Sequence, residues 1–117
     1  MDIESIRMYC LEKPGVTEGL PFGDSVLVFK VSGKMFLLLD LTGGETINVK
    51  CDPEKAQELR ADFEEVQPGY HMNKTHWNTV FLKGRLTVQQ IKAMIDDSYE
   101  LIVASLPKTQ QALLKSS

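Results

Sequence analysis

No run of apolar residues in this chain exceeds the five of Met35–Leu39. A helix that crosses a bilayer needs ~20, so neither a membrane span nor a membrane partner is expected. The opening residues Met1-Asp2-Ile3-Glu4-Ser5-Ile6-Arg7 lack the basic and apolar segments of an export signal, which leads us to expect a cytoplasmic location. Cysteine is scarce. Cys10 and Cys51 stand 41 residues apart, in neither a CxxC nor a metal-ligand spacing, so both read as buried thiols rather than as a disulfide or a zinc site. The sequon Asn73-Lys74-Thr75 has no meaning without export. Repeats, low-complexity tracts and linkers are also missing, and residues 1–117 read as one domain and a monomer.

The usual parts of an active site are equally thin. There are two histidines, His71 and His76, five residues apart, a spacing that points them to opposite faces of a strand. No Asp or Glu lies between Glu65 and Asp96, so a local two-histidine, one-carboxylate site cannot form. Neither cysteine sits in a glycine-flanked elbow or beside a base that would make it a thiolate. Gly43-Gly44 is not followed by the Lys and Ser/Thr of a phosphate-binding loop. The chain is therefore expected to be no enzyme and to carry no cofactor and no metal.

What is present is enough for one real core: 117 residues, 43% hydrophobic and 25% charged, a size at which roughly two thirds of the unfolded surface becomes buried. Ile3, Ile6, Cys10 and Leu11 recur at helical spacing after Asp2, a capping residue, and Pro14-Gly15 stops the run, so a first helix is predicted over 2–13. Residues 14–24, with three glycines and two prolines, read as a loop with Phe22 tucked onto the core. Val26–Val31 and Lys34–Leu39 read as a hairpin through Ser32-Gly33. Counting outward from that turn pairs Lys30 with Met35, Phe29 with Phe36, Val28 with Leu37 and Leu27 with Leu38. Both faces of this hairpin are apolar, so helices cover both or one face meets a partner. Thr46–Cys51 alternates, with Ile47, Val49 and Cys51 inward. Asp52-Pro53-Glu54 then starts a helix whose buried stripe is Ala56, Leu59 and Phe63. Trp77–Leu82 reads as a strand. Thr87 and Gln90 form a capping box for a long helix with Val88, Ile91, Met94, Ile95, Ser98, Ile102 and Leu106 inward, and Pro107 ends it or starts a short tail helix.

The net charge is −3, but it is unevenly spread. Residues 1–65 hold seven Lys and Arg against thirteen Asp and Glu, whereas residues 66–95 hold Lys74, Lys83, Arg85 and Lys92 with no acid. Tyr70, His71, Asn73, His76, Trp77 and Asn78 interleave that segment with stacking groups and donors, a mixture that nucleic-acid surfaces use.

Gly69-Tyr70-His71-Met72-Asn73-Lys74-Thr75-His76-Trp77-Asn78-Thr79-Val80 closely resembles the signature of the bacterial MmcQ/YjbR-like proteins. So do Leu11–Val16, the hairpin Val28–Phe36, the junction Asn48–Ala56, Ser98–Ile102 and Leu106-Pro107-Lys108, which together cover essentially the whole chain. The resemblance implies an α+β fold of two layers similar to type III secretion chaperones. Its antiparallel sheet has helices on one side, in the order helix, three strands, helix, two strands, helix. The residues give four of those strands clearly and leave the fifth to Gln67–Met72. The resemblance also implies DNA binding through a double wing of β-hairpins. Here the wings would be the Ser32-Gly33-Lys34 turn and either Thr42–Glu45 or the His71–His76 loop, with Asp40 and Glu45 opposing phosphates. The expected function is thus a small binding module. DNA is its first candidate partner, through Lys34, His71, Asn73, Lys74, His76, Trp77, Lys83 and Arg85. The alternatives are a protein partner on the apolar face of the 25–41 hairpin, as in a chaperone-like module, or a small-ligand pocket at Tyr70, His71, Trp77 and Asn78.

Overall fold

Asp2 caps the first helix by accepting the Ser5 N–H at 2.8 Å, and the helix, α1, runs over Ile3–Leu11, shorter than predicted at both ends. The structure, a computed structural model, describes residues 1–116. After Pro14-Gly15 the chain does not loop as expected. It enters a short edge strand, β1 (Val16–Gly19), then β2 (Val26–Val31), β3 (Lys34–Asp40) and β4 (Thr46–Lys50). A strand at the sheet edge needs partners on one side only, which is why a stretch so rich in glycine and proline still pairs. Helix α2 (Pro53–Asp62) follows, with Asp52 as its cap and Pro53 at its first position. Strands β5 (Val66–Pro68) and β6 (Trp77–Phe81) lead into α3 (Val88–Ala104) and a tail helix α4 (Lys108–Lys115). The fifth expected strand is present but short: it starts one residue before Gln67 and ends at Pro68, so Gly69–Met72 of the predicted span is not strand. The extra strand β1 and the extra helix α4 extend the implied order. Both halves of the Thr87–Gln90 capping box form, at 3.1 and 2.9 Å.

The sheet is antiparallel throughout, in the order β1-β2-β3-β4-β6-β5. Ser32 and Gly33 both take positive φ, 49° and 83°, the geometry of the tight hairpin turn that matches strand twist. The register follows the count only for Val31–Lys34 and Lys30–Met35. Beyond them Phe36 bulges out of the ladder, so Phe29 pairs with Leu37, Val28 with Leu38 and Leu27 with Leu39. The bulge turns two consecutive large side chains, Phe36 and Leu37, into the core together, both fully buried. It also removes a ladder contact to β4, which the Ser98 hydroxyl of α3 replaces by donating to Phe36 O at 2.5 Å and accepting Lys50 N–H at 2.8 Å.

One face of the sheet carries the core. Phe29, Leu37, Leu39, Ile47, Val49 and Val80 pack against Ile6 and Cys10 of α1 and Ile91, Ile95 and Ile102 of α3, with Leu59 of α2 and Leu114 of α4 at the margin. Each such side chain contributes roughly 1.5–3 kcal/mol by leaving water. Val88, expected in this stripe, is 45% exposed at the first position of α3. Helices thus cover only one of the hairpin's two apolar faces. The other carries a row of cross-strand neighbours, Val28–Leu38–Asn48–Thr79–Gln67, that crosses five strands and turns from apolar to polar along its length.

Candidate ligand-binding groove

The helix-free face should be wet, yet Leu38 at its centre is only 8% exposed. The cover comes from connections at the two edges of the sheet. Phe22 and Ser25 arrive from the β1–β2 connection, and Tyr70, His71 and Met72 from the β5–β6 connection. Between them Val26, Met35, Leu38, Asn48, Thr79 and Phe81 form the floor and Asp40, Thr42 and Thr46 close one end. The groove so enclosed has a volume of about 690 Å³.

Sequence-local geometry holds the wall at residues 69–76. Gly69 donates to Trp77 O at 2.9 Å, and its backbone lies so close to Trp77 and Met72 that a Cβ there would meet Trp77 Cβ and O at 2.9 Å. His71 adopts the left-handed region, φ 59°, which turns its ring onto that of Tyr70 at 4.0 Å. Asn73 closes the rest of the turn: its carbonyl accepts His76 and Trp77 N–H and its side chain accepts Thr75 N–H at 2.9 Å. Arg60, which the sequence reading did not single out, pins the far end from α2. It donates to Asn78 Oδ1 at 2.7 Å, to Trp77 O at 3.1 Å and to Lys74 O.

Floor and wall are joined by a relay. Tyr70 N–H donates to Thr79 Oγ1 at 2.9 Å, and Thr79 Oγ1 donates to Asn48 Oδ1 at 2.5 Å. The aromatic rim is open to solvent: Phe22 is 62%, Tyr70 68% and Phe81 41% exposed. Phe22 is therefore not on the core, as the loop reading supposed. The β1 strand carries the following residues out to the sheet edge and leaves Phe22 at the groove mouth. Asp40 brings the one full charge to the lining. The Thr42 hydroxyl and N–H, with the Gly44 N–H, hold its carboxyl below the usual carboxylate range.

The residues expected to contact nucleic acid are divided by the sheet. Lys34 lies at the β2–β3 turn, where its ammonium reaches Ser105 Oγ at 3.4 Å on the helix side. Asn73, Lys74, His76 and Trp77 lie at that same end of the sheet, where Trp77 faces Lys50 across the β4–β6 pair. Lys83 and Arg85 follow β6 at its other end, and five strand residues at about 3.3 Å each separate the two groups by roughly 15 Å. There Lys83 pairs with Glu45 at 3.2 Å and the Arg85 N–H is bound by Glu65 at 2.7 Å. His71 alone of these residues lines the groove. Of the four residues of the small-ligand alternative, Tyr70 and His71 line it. Asn78 is buried toward α2, since it opposes Val49 on the core face. Cys10 and Cys51 are both buried and free, and burial raises both thiols, Cys10 to about 12. Among the described residues no cluster of three or more His, Cys, Asp or Glu has metal-binding geometry, and no helix is long and apolar enough to cross a membrane.

A family model described as YjbR matches residues 11–101. The chain belongs to the YjbR family. It is 33% identical to the uncharacterized protein YjbR of Escherichia coli K12 over 115 residues, covering 97% of this chain and 98% of that relative. It is 38% identical to the uncharacterized protein YbdF of Escherichia coli O157:H7 over 109 residues, 92% of this chain and 89% of the relative. Among solved structures, protein DR2400 of Deinococcus radiodurans, described by the domain DUF419, superposes with a TM-score of 0.91 at 34% identity, over 97% of this chain and 88% of that one. A Pseudomonas syringae protein superposes with a TM-score of 0.75 at 30% identity, over 86% and 98%. YjbR-family membership thus brings the two-layer fold, and these relatives carry no stated activity.

Proposed function

We propose that this YjbR-family chain is a non-catalytic binding module whose site is the groove on the helix-free sheet face, and that its ligand is a small molecule. The observation that carries the reading is the combination of a half-open groove of about 690 Å³ with three exposed aromatic side chains around it. Small-molecule sites are concave, mostly apolar, roughly 300–1,000 Å³ in volume, and contain a few fixed polar groups. Exposed aromatics that a ligand would cover contribute the apolar burial that drives such binding. The raised cysteine thiols and the separated histidines offer no activated nucleophile.

DNA binding through Lys34, Lys74, Lys83 and Arg85 has weaker support. Phosphate contacts add up when cations converge on one surface; these four occupy two ends of the sheet, and Lys83 faces Glu45. A protein partner on the 25–41 hairpin would occupy Val26, Met35 and Leu38 of the same groove floor. A thermal-shift screen of neutral, apolar small molecules tests the preferred reading, since a ligand that binds only the folded state raises apparent stability. Stabilisation by some compounds that is lost in Tyr70→Ala/Phe81→Ala is expected. Stabilisation by duplex DNA at low salt, abolished in Lys74→Ala/Arg85→Glu and indifferent to the groove variant, would contradict it.

A further inference from the structure

The relay across the floor decides what chemistry the groove can read. Thr79 Oγ1 has its acceptor side taken by Tyr70 N–H and gives its proton to Asn48 Oδ1. That orients the Asn48 side-chain amide, with one lone pair of its oxygen taken by Thr79, and leaves its NH₂ as the donor it has to offer. Asn48 lines the groove beside Leu38, so this NH₂ is a preset hydrogen-bond donor in a mostly apolar floor. A ligand that covers it without supplying an acceptor strips it of water and returns nothing.

Charge narrows the class further. No lysine or arginine is among the lining residues, while Asp40 closes one end as a carboxylate. Its oxygens are already engaged by Thr42 N–H and Oγ1–H, at 2.8 and 2.6 Å, and by the Gly44 N–H. Asp40 keeps its charge, and that charge opposes an anion in the groove.

We infer that the ligand is a largely apolar small molecule without negative charge that presents a hydrogen-bond acceptor, such as a carbonyl, to the Asn48 amide. This rests on the groove reading above and deepens it. Anionic metabolites, nucleotides included, fall outside the class.

Fluorescence titration of the full chain with three probes tests the inference. Nile red is neutral and has a carbonyl, phenylnaphthylamine is neutral and has none, and anilinonaphthalene sulfonate is the anionic analogue of the second. Nile red affinity is expected to fall about tenfold in Asn48→Leu, the scale of one buried hydrogen bond, with phenylnaphthylamine unchanged or tighter. The sulfonate is expected to bind about tenfold more weakly than phenylnaphthylamine and to recover in Asp40→Asn. Should Asn48→Leu not fold, the isosteric Asn48→Asp removes the donor and is expected to weaken Nile red more than phenylnaphthylamine. Equal effects on both neutral probes, or a sulfonate that binds as tightly as its neutral analogue, would overturn the ligand class while leaving the groove in place. If all three probes bind Tyr70→Ala/Phe81→Ala as they bind the parent, or none binds at all, the groove reading itself fails.

Discussion

Thr79 stands directly across the β4–β6 pair from Asn48, and its hydroxyl joins that side chain at 2.5 Å while holding the Tyr70 N–H at 2.9 Å. One side chain therefore couples the floor of the groove to its wall. Thr79→Val keeps the shape and the strand preference but removes both bonds. It is expected to cost about 1 kcal/mol of stability, the net worth of hydrogen bonds that water partly replaces. Amide exchange at Tyr70 should speed up well beyond that global loss. Equal acceleration at Tyr70 and at core amides such as Ile47 would mean the relay does not hold the wall.

Arg60 secures the same wall from behind, through Asn78 Oδ1 and the carbonyls of Lys74 and Trp77. Arg60→Ala leaves a buried amide and two carbonyls short of a donor, at a cost of about 1–3 kcal/mol. Trp77, the single tryptophan, reports the change: its emission is expected to shift red as the 73–77 turn opens. Arg60→Lys supplies a point charge without the planar fork and should restore only part of the loss.

Ser98 occupies the place of a lost ladder bond at the Phe36 bulge. Ser98→Ala leaves Phe36 O and Lys50 N–H unpaired beside the core and should lower the urea midpoint by about 1–3 kcal/mol equivalents, with an unchanged denaturant slope. A neutral result would mean that water reaches the bulge.

Two acidic groups of α1, Cys10 and Tyr9, set the alkaline limit. Burial pushes the Cys10 thiol up to about 12, with Lys13 opposing and Asp96 adding. Burial and the hydrogen bond to Asp96 push Tyr9 to about 12 as well. The unfolded thiol ionises near 9.0, so above that pH the unfolded chain binds fewer protons and stability falls as pH rises. The thiol's contribution is intact below pH 9.0 and is lost at up to about 1.4 kcal/mol per pH unit as the folded value is approached. Urea unfolding at successive alkaline pH values should show this decline, and Cys10→Ala should flatten it. The native thiol should also resist a disulfide reagent at neutral pH.

Much of the fold was legible because its punctuation is local. Asp2, Asp52-Pro53 and Thr87 with Gln90 start three helices where their chemistry says they should, and Ser32-Gly33 makes the tight turn. The register beyond Lys30 was not legible, because Phe36 and Leu37 are both apolar and only packing against Tyr99, edge-to-face at 5.4 Å, and Ser98 decides that Phe36 bulges inward. Strand β1 was masked by the glycines and prolines in and around it. As for the site, the hairpin's second apolar face signalled that helices or a partner must cover it. The cover itself depends on Phe22 and Tyr70, which come from opposite edges of the sheet and share no local pattern. Asn48 and Thr79 looked like ordinary outward residues of alternating strands, and only pairing puts them side by side.

The most direct test of the groove is an amide chemical-shift map of the chain titrated with Nile red and, separately, with a short DNA duplex at low salt. The account predicts that Nile red moves Val26, Leu38, Asn48, Tyr70 and Thr79 together and that the duplex moves none of them. Shifts confined to Lys34, Lys74, Lys83 and Arg85 on adding duplex, with the groove residues silent toward Nile red, would contradict it.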